Sequence, residues 1–132
     1  MSLINNIQNA LNERLSDIVN LPQIFWPNIA NEPQKGVDWI RPTLIPANSQ
    51  LSTLNNYDMH QGIYQIDIYT GLKKGTAPLF LLADAIRDDF KSVKSLTSGD
   101  DIIHLQAISI SQAQRVESWW SCFVQINYLC FN

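Results

Sequence analysis

The sequence predicts an α+β domain, an antiparallel or mixed sheet of about five strands with two helices packed on one face. Three observations carry this reading. Apolar residues recur at three- and four-residue spacing over 3–18 and 79–90, which lays a stripe along each of two helices. They alternate with polar residues in Gly62-Ile63-Tyr64-Gln65-Ile66-Asp67-Ile68-Tyr69 and again over Trp119–Phe131, as in strands with one buried face. The order helix, three strands, helix, two strands then favours both helices on one side of the sheet.

The first helix is marked by Ile4, Ile7, Leu11, Leu15 and Ile18, with Ser2 as a candidate N-cap and Asn20 and Pro22 as its end. Ile24-Phe25-Trp26 reads as a short strand stopped by Pro27, and the polar stretch Asn28 to Asp38, with Pro33 and Gly36, as a loop. Trp39 to Ile45 is the second strand. Pro42 lacks a ladder donor, so this strand belongs at a sheet edge or is bulged there, and an edge offers backbone to a neighbouring subunit.

Residues 46–59 hold Asn48, Ser49, Gln50, Ser52, Thr53, Asn55 and Asn56 with few apolar anchors, and a loop of this length in a compact domain is usually functional. The third strand, about His60 to Thr70, puts Tyr64, Ile66 and Ile68 on one face and Gln65 and Asp67 on the other. Gly71 to Gly75 is a turn around Lys73 and Lys74. Thr76 is the expected N-cap of the second helix, Pro78 sits in its first turn, and Leu79, Leu82, Ala83, Ile86 and Phe90 form its core stripe. After a connector over Lys91 to Asp100, Asp101 to Ser111 is the fourth strand, with a bulge expected near Ala107. Trp119 to Phe131 is the fifth.

At 132 residues the chain forms one domain, residues 1–132, large enough to bury roughly two-thirds of its unfolded surface. Only 16 % of residues are charged, which leaves much of the polar surface to Asn, Gln, Ser and Thr and suits protein contact. A net charge of −3 argues against tight, sequence-independent binding to a phosphate backbone. The start of the chain has no cationic and apolar leader pattern and no stretch reaches the ~18 apolar residues of a membrane span, so the expected location is the cytosol.

Candidate chemistry is sparse. His60 and His104 have no metal-ligand spacing to a cysteine or to each other. Cys122 and Cys130 lie in one strand at roughly 26 Å, taking ~3.3 Å per residue. That is too far for a disulfide and predicts reduced, buried thiols. Neither thiol has a local signature of a Cys–His nucleophile pair. Asp84, Asp88 and Asp89 read as a solvated helix face rather than an acid–base pair. Gly71 and Gly75 fit neither a Walker loop nor a dinucleotide fingerprint. Adjacent Trp119 and Trp120 must face opposite sides of their strand, so one points away from the local core as an interface anchor, a second core layer or a lid under 46–59.

The ordered set Trp26-Pro27-Asn28, Trp39-Ile40-Arg41-Pro42, Leu44-Ile45-Pro46-Ala47, Gly62 to Tyr69 and Leu82-Ala83-Asp84-Ala85-Ile86 resembles the small phage tail-terminator-like family, minor tail proteins that cap siphophage tail tubes. The likeness spans nearly the whole chain and is weakest in the last strand, around Trp119-Trp120 and Cys122. It implies a non-enzymatic virion assembly protein, with no cofactor or metal, that forms a homo-oligomeric ring, commonly a hexamer. Its partners would be itself, tail-tube protein and head-tail connector proteins, in the virion tail and, during assembly, in the cytoplasm of the bacterial host. Six copies of a −3 chain carry −18, which suits a lumen through which DNA passes without specific binding.

For subunit contacts this reading selects Trp39, Arg41 and Trp119, and for a lumen- or neck-facing turn Lys73 and Lys74. Arg41 has an equal alternative as an intrachain salt-bridge partner. A head-tail connector of similar fold is the neighbouring reading, and a monomeric small-ligand-binding domain is the reading from a different class.

Overall fold

The longest strand, β4 (Asp58–Gly71), is the axis of the molecule. A computed structural model describes residues 3–27, 33, 37–47, 50–51 and 58–131. Along that axis β4 pairs antiparallel with β2 (Trp39–Pro46) on one side and with β8 (Trp119–Phe131) on the other. The sheet continues outward from β8 through β6 (Asp101–Ile110) to β5 (Ser95–Ser98), and outward from β2 to a two-residue parallel strand, β1 (Gln23–Ile24). Two short strands lie off this path: β3 (Gln50–Leu51) folds back on the start of β4, and β7 (Gln114–Val116) forms a hairpin with the start of β8.

The sheet is therefore mixed and, among the described residues, has eight strands rather than about five. The additional strands are short segments of two to four residues, too brief for a period-two pattern to register. β5 lies inside the stretch 91–100 that reads as a connector, β1 is Gln23–Ile24 rather than Ile24–Trp26, and β3 lies within the 46–59 loop. Ser2 and most of residues 28–36 and 48–57 lie outside the described residues.

The helices α1 (Leu3–Ser16) and α2 (Ala77–Lys91) occupy one face. Ile7, Ala10, Leu11 and Leu15 of α1 and Leu79, Ala83, Ile86 and Phe90 of α2 are buried against Ile40, Tyr64, Ile66, Ile68, Ile103, Cys122, Val124, Ile126, Tyr128 and Cys130. Ile4, part of the α1 stripe by spacing, is instead exposed. Thr76 precedes α2 with helical backbone angles and no side-chain capping bond, so it does not act as the expected cap, while Pro78 does sit in the first turn. The bulge in β6 falls between Leu105 and Ile108, where the register to β8 shifts.

Specific polar contacts fix the helices on the sheet. The buried Tyr64 hydroxyl donates to Asn12 Oδ1 at 2.5 Å, tying β4 to α1. Burial pushes the Tyr64 phenol well above its ordinary range. Arg14 Nε donates to Asp89 Oδ1 at 2.8 Å, joining α1 to α2. Arg87 pairs at 3.3 Å with both Asp84 and Asp88, so the α2 carboxylates form an ion-paired outer face. Both cysteines are free and buried, and burial lifts the Cys122 thiol to about 11. Among the described residues no helix is long and apolar enough to cross a membrane.

Candidate assembly surface

Strand alternation sends Ile40, Ile66, Ile68, Val124 and Ile126 toward the helices and their neighbours to the opposite, helix-free face. On that second face Trp39, Arg41 and Thr43 of β2 stand opposite Tyr69, Asp67 and Gln65 of β4, which in turn stand opposite Ser121, Phe123 and Gln125 of β8. Among the described residues no helix packs there, because both α1 and α2 lie on the other face.

One end of the face is an aromatic cluster built around Trp39. Its ring stacks on Tyr69 at 4.0 Å and 9°, and meets Phe25 at 5.4 Å and Trp119 at 6.1 Å edge to face. The Arg41 guanidinium carbon lies 5.2 Å from the Trp39 ring centroid, a cation–π distance. The three residues selected for subunit contact are thus gathered in one patch. Trp39 itself is only 7 % exposed, so of the three it is the half-buried Arg41 and Trp119 that reach solvent, beside the half-buried Tyr69. Trp120 takes the opposite side and packs against the core.

Two donors of this patch, Trp39 Nε1 and Arg41 Nε, are buried without a hydrogen-bond partner among the described residues. A buried polar group without a partner carries a desolvation cost, and such groups in native proteins call for an explanation. Beside them runs a side-chain relay. Gln125 Nε2 donates to Gln65 Oε1 at 3.0 Å, and Gln65 Nε2 donates to Asp67 Oδ1 at 3.0 Å. Burial raises the Asp67 carboxyl above its ordinary range, against the opposing pull of the Gln65 bond and the Arg41 charge. Burial, with the nearby Asp67 charge, also raises the Tyr69 phenol.

Lys73 and Lys74 follow immediately, in a 3-10 turn (Leu72–Lys74) at the aromatic end of the sheet. Gly71, the residue before that turn, is paired with Trp119, and its N–H donates to Asp38 Oδ1 at 3.3 Å. Gly75 closes the turn at φ +71°, a conformation that favours glycine. Both lysines are exposed. Phe25, Tyr69 and the Gln125–Gln65–Asp67 relay are parts of the patch that sequence reading missed. Alternation within β4 put Gln65 and Asp67 on the polar face, but their partners depend on register across β2 and β8.

A family model described as phage tail terminator protein matches residues 6–128. The chain belongs to the phage tail terminator family. Members of that family are structural components of the tail rather than enzymes, and their role involves contact with other tail components. A solved structure matches this terminator chain with a TM-score of 0.78 over 98 % of the chain and 96 % of its own length, at 19 % identity, a likeness that concerns the fold alone. No protein of curated function matches the chain in sequence.

Proposed function

We propose that this tail terminator assembles as a homo-oligomeric ring, most simply a hexamer, on the last ring of tail-tube protein. There it stops tube polymerisation and presents a second face to the head-tail connector. The observation that carries this reading is the patch of Trp39, Arg41 and Trp119 on a sheet face that no described helix covers, with two buried donors that have no acceptor among the described residues. Trp and Arg are the residue types most enriched at interface hot spots.

The mechanism is geometric. A head-to-tail contact between unlike surfaces closes into a ring when the rotation per subunit divides a full turn, and a closed ring has two different faces. One face matches the tube end and the other does not, so growth stops after one layer. The low charge content favours extended protein contact, and the acidic net charge of the assembled chains leaves DNA free to slide through the lumen.

Size-exclusion chromatography with light scattering, on the protein alone and then with purified tail-tube protein, tests the reading. A species near six times 15.0 kDa, or a stable complex at tube ends seen by electron microscopy, is the expected result. A monomer indifferent to tubes but bound by a head-tail connector would move the protein one ring toward the head. A monomer that binds neither would overturn the proposal.

A further inference from the structure

The two edges of the sheet are chemically unequal. Phe25 N–H bonds to Ile40 C=O at 2.8 Å, so the backbone of Ile40 faces outward from β2, and Pro42, Leu44 and Pro46, at two-residue steps, face outward with it. Both prolines thus stand where the outer edge needs donors, which leaves Leu44 as the single outward-facing N–H over Pro42–Pro46. That edge cannot carry a regular added strand.

Among the described residues the opposite edge is open beyond β5. β5 covers β6 only as far as Leu105, whose N–H bonds to Lys94 C=O at 3.0 Å. Ser111 N–H bonds to Phe123 C=O at 2.9 Å, so Ser111 and Ser109 face β8, and Ile108 and Ile110 turn their N–H and C=O groups away from it. Among the described residues no strand pairs with this stretch. At its start, beside the bulge, lies a groove of about 310 Å³ with an apolar floor of Phe90, Val93, Leu105 and Ile108. Its rim carries Arg87, Lys91 and Lys94, and the two lysines are exposed with no ion-pair partner among the described residues.

We propose that the outer edge of β6 past the bulge, over Ile108–Ile110, receives an extended segment of another protein by strand addition, with an apolar anchor in this groove and a carboxylate beside Lys91 and Lys94. Strand addition supplies affinity through the main chain and selectivity through the side chains on alternate positions. Side chains of the added strand that share a face with Ile108 and Ile110 point toward the helices, which is where the groove and its cationic rim lie. Charge complementarity therefore selects an acidic strand, and the prolines of β2 restrict such pairing to one side of the subunit.

The test is a titration of isotope-labelled full-length protein with a short synthetic peptide of alternating valine and glutamate, followed by amide resonances and hydrogen exchange. Expected are shifts and slowed exchange at the Ile108 and Ile110 amides, and loss of binding when alternate peptide nitrogens are methylated. The exposed double variant K91E/K94E should weaken binding about tenfold or more, since two rim charges are reversed. No response at these amides at millimolar peptide, or equal binding of a valine–lysine peptide, would overturn the proposal. So would amides already protected in the protein alone through self-association, because the edge would then be filled by a second copy. Peptide binding and its loss in K91E/K94E are read at the subunit's own amides whether or not a ring forms, so their failure is distinguishable from failure of the terminator reading.

Discussion

Arg41 lies with its guanidinium carbon 5.2 Å from the centroid of the Trp39 ring, the same indole that stacks on Tyr69 at 4.0 Å. In sequence terms Arg41 had two readings, subunit contact and intrachain salt bridge. Among the described residues its close contact is the Trp39 ring, and its charge is felt by Asp67 on the neighbouring strand. Trp39→Ala removes a buried ring with three aromatic neighbours and should cost about 3–5 kcal/mol. Arg41→Ala should cost only about 1 kcal/mol through the lost cation–π contact and stem packing. Urea denaturation of both variants measures the two values, and equal losses would mean that the patch is held by Arg41 as much as by its rings.

Trp119 contributes one edge-to-face contact to this cluster and remains half-buried. Trp119→Ala should therefore lose about 1 kcal/mol of stability while abolishing ring assembly. Thermal melting and light scattering on the same sample separate the two effects. A variant that melts near wild type and still assembles would remove Trp119 from the proposed interface.

Gly62 is required by proximity rather than by backbone angle. A Cβ there would lie 2.5 Å from the Ile45 carbonyl oxygen and 2.5 Å from the Tyr128 hydroxyl. Gly62→Ala should destabilise the fold by about 2–3 kcal/mol, as overpacking of a close-packed site does. Adding Tyr128→Phe relieves one clash and leaves the backbone one, so the double variant should recover part of the loss. Full recovery would show that β2 is free to move away from β4.

Asp67 gives the pH signature of the helix-free face. Its carboxyl is raised in the folded state chiefly by burial, so the fold favours the protonated form. A raised group contributes stability that is present below its unfolded pKa and lost as pH rises through the folded value. Asp67→Asn, neutral at all pH, should be more stable than wild type near pH 7, and the gap should close as pH falls below the ordinary carboxylate range. Urea midpoints at neutral and acid pH measure it. A variant less stable at pH 7 would mean that attraction to Arg41 outweighs desolvation.

Much of this architecture was legible because long strands and helices write their period over many residues. β4 and β8 alternate over 14 and 13 residues, and α2 repeats its stripe from Leu79 to Phe90, so class, faces and the Ala107 bulge were all readable. The short strands β3, β5 and β7 were not, since two to four residues carry no period and form only because a long neighbour offers an edge. Trp39, Arg41 and Trp119 are singled out by residue type and by an edge-like second strand, but nothing in the sequence says that they gather in one patch. Their actual contact depends on β2 and β8 flanking β4 at a particular register, which no local pattern encodes. The cationic groove at the β6 edge was missed for the same reason, as it joins the end of α2 to a strand that follows it in the chain but pairs elsewhere.

Pro42 and Pro46 illustrate how an edge strand is kept from pairing. Because their nitrogens face outward, neither proline removes a hydrogen bond from the β2–β4 ladder, and replacing them need not disturb it. P42V/P46V would instead restore two outward donors beside that of Leu44 and complete a regular edge. Natural sheets use proline on edge strands to prevent edge-to-edge association, so the double variant should retain wild-type stability within about 1 kcal/mol but self-associate with rising concentration. Static light scattering on both proteins over a concentration series measures this. If the variant stays as dispersed as wild type, the β2 edge is protected by something other than its prolines, and the one-sidedness argued for strand addition loses its basis.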